Sequence, residues 1–141
     1  IMIKNFLKII LFVTFLPNIS FAKSEFFRAG VDLYEKNKYE DAKFKFEQDI
    51  VFNPKSELSY LYLSKIFKKL DNIDLEEQNL KTVLLLNPKN EEAIYFLAKL
   101  KLNVSDYKMS KNLNNKLQTI CKNFCSKSDK LNIEIENLSK K

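Results

Sequence analysis

Five residues, Asn53-Pro54-Lys55-Ser56-Glu57, return thirty-four positions later as Asn87-Pro88-Lys89-Asn90-Glu91 with four of the five identities kept. A fixed period of this length makes each unit one supersecondary element that buries its apolar face on its neighbours. Sliding the chain by 34 aligns further columns: Phe26, Tyr60 and Ile94; Ala29, Leu63 and Leu97; Gly30, Ser64 and Ala98; Tyr39, Ile73 and Tyr107; Phe52, Leu86 and Ile120. Inside a unit, apolar residues recur at three- and four-residue steps, as in Leu63, Ile66, Phe67 and Leu70, which is helical spacing. Polar breaks at Lys36-Asn37-Lys38, Asp71-Asn72 and Asn103–Asp106 divide each unit into two helices. Pro54 and Pro88 end the second helix, and Ser56 and Asn90 stand where caps of the next helix belong. The small residue at 30, 64 and 98 predicts a close approach of paired helices.

Composition agrees with an all-α fold. The chain of 141 residues has no His, no Trp, one Gly and three Pro. Without His there is no Ser-His or Cys-His nucleophile pair and no imidazole metal site. One Gly cannot build a phosphate-cradling loop, and it leaves too few turn residues for an all-β fold. The acidic pairs Glu76–Glu77 and Glu91–Glu92 are helix neighbours whose side chains diverge, so neither pair can flank one substrate bond. No enzyme activity, cofactor or metal is expected. Of the 24 basic residues only Arg28 is Arg, and nucleic-acid readers lean on Arg for bidentate contacts, so nucleic acid is not an expected partner.

Residues 1–22 have the pattern of a secretory signal. Lys4 and Lys8 precede the apolar run Ile9–Leu16, Pro17-Asn18 breaks it, and Ser20 and Ala22 are small at three and one positions before a cut. The run is too short to span a bilayer, which takes ~20 residues. Cleavage after Ala22 and export, to a bacterial periplasm, are the expectation. Removal of Lys4 and Lys8 lowers the net charge from +6 to +4, and the excess concentrates late, because residues 98–141 are rich in Lys and poor in acids.

On the Asn-Pro turns, the small columns and the first unit's Ala29-Gly30, Tyr39, Ala42 and Phe46, the chain resembles the tetratricopeptide repeat family, as an exported bacterial type. The resemblance implies an α-α superhelix of about three helix-turn-helix repeats, near 23–56, 57–90 and 91–125, with 126–141 as a C-terminal capping helix or tail. The sequence departs from the pattern where Glu76 replaces a small residue, where Asn114 stands in the column of Phe46 and Leu80, and where Lys122 replaces the closing Pro. The family's first helices line a concave groove for a peptide or partner helix. Carried onto this sequence, that groove would present Phe27, Val31, Tyr34, Leu58, Leu61, Lys65, Lys68, Lys69, Tyr95, Lys99 and Asn103. The face begins aromatic and ends cationic, suiting a segment with apolar anchors and an acidic end. Carboxylate-clamp members of the family carry Lys and Asn on the first groove helix; here Phe27 and Val31 occupy that helix, so the resemblance does not extend to a clamp.

Cys121 and Cys125, the only cysteines, are expected at the end of the last repeat helix, where four-residue spacing brings their Cα atoms to about 6 Å. In an oxidising compartment a disulfide is the first choice, ahead of a redox pair or a metal site. Beyond them Leu131, Ile135 and Leu138 form one face of a short helix, capped by Ser128 or Asp129, that would close the open end of the array. The expected function is a non-catalytic scaffold that binds another protein or peptide. The alternatives are a binder of anionic surfaces, membrane or polyanion, through the Lys-rich C-terminal third, and a thiol redox protein using Cys121 and Cys125.

Overall fold

A computed structural model describes residues 24–140; the signal-peptide reading of residues 1–22 lies outside the described residues. The described chain is seven α-helices with no strand: α1 (Glu25–Glu35), α2 (Tyr39–Phe52), α3 (Glu57–Lys69), α4 (Ile73–Leu86), α5 (Glu91–Asn103), α6 (Tyr107–Ile120) and α7 (Cys125–Leu138). Three antiparallel pairs, α1–α2, α3–α4 and α5–α6, stack in chain order, and α7 packs against α6 and α5. This is the α-α superhelix that the 34-residue period predicts.

The turns repeat as faithfully as the helices. Asn37, Asp71 and Ser105, each 34 apart, are the only non-Gly residues at positive φ among the described residues, at 58°, 53° and 63°. In each turn the next amide reaches back to close the helix end, Lys38 N–H to Leu33 C=O, Asn72 to Phe67 and Asp106 to Lys101. That is the Schellman arrangement, whose left-handed residue tolerates Asn and Asp better than other side chains. Ser24, Asn72, Asn90 and Asp106 cap their helices by accepting an amide N–H three residues on. Ser56 does not cap as expected; its hydroxyl donates to Ser59 Oγ instead.

The small column marks the tight contact. A Cβ added at Gly30 would sit 2.8 Å from the ring of Phe46, itself fully buried across the α1–α2 interface. Ser64 and Ala98 are likewise buried, and the Ser110 hydroxyl of α6 donates to the Ala98 carbonyl at 2.8 Å.

Each junction between units is pinned by a polar side chain. Buried Asp49 accepts from Ser24 and from Ser59, tying α2 to α1 and α3. Glu57 accepts from the side-chain amides of Asn87 and Asn90, at 3.0 and 2.5 Å. Glu91, 34 residues later, accepts the backbone N–H groups of Lys122, Asn123 and Phe124, all at 2.9 Å.

Two sequence expectations change at the last junction. The cysteines do not share a helix end: Cys121 ends α6, Cys125 opens α7, and the disulfide (S–S 2.03 Å, Cα–Cα 5.3 Å) closes the turn between them. That turn, Cys121 to Cys125, holds the register of Asn87 to Glu91, so the disulfide stands where the other junctions have an Asn-Pro turn. The last helix starts at Cys125 rather than at a Ser128 or Asp129 cap, because Cys125 is 34 residues past Glu91 and α7 takes the place of a fourth unit's first helix. Ser128 is inside the helix and buried, and Leu131 and Ile135 close the core formed by Ala98 and Leu102. No helix of the described residues is long and apolar enough to cross a membrane.

Candidate functional site: the concave face

The first helices of successive units lie side by side, so residues one period apart line a continuous face. Two clefts open on it. The first, about 390 Å³, is lined by Phe27, Arg28 and Val31 of α1, Leu58, Leu61, Tyr62 and Lys65 of α3, and Glu92 of α5. The second, about 340 Å³, is lined by Tyr34, Ser64, Lys65, Lys68 and Lys69, by Glu76 from α4, and by Glu92 and Phe96. Lys65 and Glu92 belong to both and form an ion pair at 2.7 Å, a sill between an apolar cleft and a polar, aromatic-walled one.

The walls are preorganised by ring packing. Tyr62 stacks on Phe46 with centroids 4.9 Å apart and meets Tyr34 and Phe27 edge-on at 5.2 and 5.9 Å. Lys65 Nζ lies 5.1 Å from the Tyr62 ring centroid and 5.9 Å from that of Phe96, and Lys68 Nζ lies 5.2 Å from Phe96. Such contacts hold long side chains in place at little cost in hydration. Burial raises the Tyr34 hydroxyl pKa above its ordinary value, with the neighbouring Tyr39 and Tyr62 adding to the effect. Burial likewise raises the Glu76 carboxyl, and the Lys68 charge offsets this only in part.

Of the groove residues expected from the sequence, Phe27, Val31, Tyr34, Leu58, Leu61, Lys65, Lys68 and Lys69 line these clefts. Phe27 and Leu61 do so as floor rather than wall, with 4% and 3% of their surface exposed. Tyr95, Lys99 and Asn103 line neither cleft. Tyr95 packs on Phe96 and on Phe124, and Lys99 donates to both carboxylate oxygens of Glu134 at 2.9 and 2.8 Å. The cause is α7, which covers the third unit's first helix as a fourth unit would. Asn103 is exposed at the end of α5. With Lys65 and Lys99 neutralised by acids, the expected cationic run shrinks to Lys68 and Lys69, which close no ion pair among the described residues.

Sequence reasoning passed over Arg28, Tyr62 and Phe96, which line the clefts as one further column of the same period. It weighed Glu76 and Glu92 only within acidic pairs unable to flank a substrate bond, with Glu76 also a departure from the pattern, and placed neither in the groove. No group of three or more His, Cys, Asp or Glu able to hold a metal occurs among the described residues.

No protein-family model matches the chain, and no curated protein matches it in sequence. Solved structures do match its shape. The first tetratricopeptide-repeat domain of Spaghetti, bound to an HSP90 peptide, superposes with a TM-score of 0.74 at 12% identity, over 82% of this chain and 91% of that one. The Yersinia enterocolitica type III secretion chaperone SycD, in complex with a peptide of the translocator YopD, gives 0.73 at 18% identity, over 83% and 93%. The Sgt2 domain from Aspergillus fumigatus gives 0.71 at 14% identity, over 86% and 87%. At these identities the likeness speaks for architecture, and it agrees with the 34-residue register of helices, turns and small residues: the chain has the tetratricopeptide-repeat fold.

Proposed function

We propose that this protein is a non-catalytic interaction scaffold that binds a peptide or partner helix along its concave face. The observation that carries the proposal is the pair of adjoining clefts, apolar around Phe27, Val31, Leu58 and Tyr62 and polar around Tyr34, Lys68 and Glu76. An apolar pocket beside convergent polar groups is the usual form of a peptide subsite, with ring-lined walls supplying the anchor. The Spaghetti and SycD structures, each solved with a peptide, support the same reading. The setting we propose is a bacterial periplasm, reached after removal of residues 1–22; the charged start and short apolar run of that segment, with an intramolecular disulfide in the folded part, favour it.

Selection of a displayed random-peptide library on the immobilised chain tests the binding reading. Peptides enriched on the wild type should be lost on Leu58→Glu and Val31→Glu, which put a charge in the apolar cleft at partly exposed positions, with helicity unchanged. Retained binding on those variants, together with its loss on Lys111→Glu/Lys116→Glu, would transfer the function to an anionic surface bound by the exposed lysines of α6.

A further inference from the structure

We propose that Glu76 is a recognition residue and that the second cleft takes an uncharged amide, the side chain of an Asn or Gln on the bound peptide; this rests on the groove reading above. Glu76 stands in the column of Ala42 and Ser110, both fully buried where the second helix crosses the first. A carboxylate at such a position needs a partner. Glu76 is only 7% exposed and lines the cleft. Among the described residues its side chain makes no hydrogen bond and closes no ion pair, and no buried side-chain oxygen is left unpartnered, so its carboxylate meets only the solvent that the cleft admits.

The surroundings narrow what can satisfy it. Lys65 is paired with Glu92 at the sill, and Lys68 and Lys69 line the same cleft without an ion pair among the described residues, so a cationic group entering it meets two like charges. A carboxylate would meet Glu76 itself, whose two oxygens accept and cannot donate. A primary amide suits both: its N–H donates to Glu76, its carbonyl accepts from Lys68 or Lys69, and no net charge is buried. Phe96 and Tyr34 provide flat walls for the planar group. With an apolar side chain seated beyond the Lys65–Glu92 sill, the recognised segment pairs an apolar anchor with an Asn or Gln at fixed spacing.

The experiment uses peptides selected on the wild-type chain from a displayed random library. Their binding is measured by fluorescence anisotropy against wild type, Glu76→Gln and Glu76→Ala. The selected peptides should share an Asn or Gln at constant distance from an apolar residue. Replacing that Asn by Leu, or that Gln by Met, should weaken binding to wild type about tenfold or more, as expected for a hydrogen bond to a charged group. The same replacement should cost several-fold less on Glu76→Ala, which the Ala42 and Ser110 column shows to suit the fold and which keeps only the lysine contact to the amide carbonyl, and an intermediate amount on Glu76→Gln, which keeps the size and one acceptor. Equal losses on all three proteins would overturn the assignment, as would selection of Asp, Glu, Lys or Arg at that place, while leaving the groove reading standing. A library that yields no enriched peptide would remove the groove reading, and this inference with it.

Discussion

Asn114 and Ser128 exchange two hydrogen bonds across the last junction: Asn114 Nδ2 donates to the Ser128 carbonyl at 3.0 Å, and the Ser128 hydroxyl donates to Asn114 Oδ1 at 2.7 Å. Both side chains are fully buried, and one period earlier the same two positions hold Leu80 and Ile94, also fully buried. The junction that docks α7 therefore replaces an apolar pair by a polar one. A buried polar pair loses heavily when one member is removed and little when both are exchanged for apolar groups. Asn114→Leu and Ser128→Ile should each cost about 1–3 kcal/mol, and the double variant should recover most of the loss. Urea unfolding of the four proteins gives the coupling; additive losses would contradict the pairing.

Ala98 lies where α5 meets α6, with its carbonyl held by Ser110. Ala98→Leu should overpack that contact and cost about 1–3 kcal/mol. An unchanged melting temperature would show that the register of the small column is wrong.

Ser105 holds a left-handed backbone at φ 63° where its counterparts are Asn37 and Asp71. Glycine carries no Cβ penalty there, and the relief exceeds its extra chain entropy. Ser105→Gly should stabilise the fold by about 0.5–1 kcal/mol, with a higher urea midpoint as the readout. A lower midpoint would contradict the turn geometry.

The Glu91 carboxyl is held below its ordinary pKa chiefly by the Lys122 amide, with the Asn123 and Phe124 amides adding to it. A carboxyl whose folded pKa is depressed stabilises above its unfolded pKa of about 4.3 and loses that contribution as pH falls through the folded value. Wild type should therefore melt above Glu91→Gln at pH 7, with the gap closing below pH about 4.3. A gap independent of pH would show that the three amide contacts do not depend on the charge.

The helices, their breaks and the small-residue column were legible because one period governs local spacing and long-range packing alike. The place of the disulfide was less so. Read as spacing alone, Cys121 and Cys125 fit a helix end; read in register with Asn87 and Glu91, they enclose an inter-unit turn. Tyr95 and Lys99 were misplaced for the same reason. Whether α7 continues the array decides whether that face stays open, and its helical pattern from Leu131 hid a start at Cys125. Glu76 was visible as an exception, but its burial beside a cleft follows only from the packing of α4 on α3 and α5.

The most direct test of the groove is amide chemical-shift mapping of the labelled chain with a peptide selected on it. Perturbations should cluster at Val31, Tyr34, Leu58, Tyr62, Lys65 and Phe96 and persist as salt is raised, since apolar anchoring is weakly screened. Perturbations confined to Lys111, Lys116, Lys127 and Lys130 and abolished by salt would contradict the groove as the binding site.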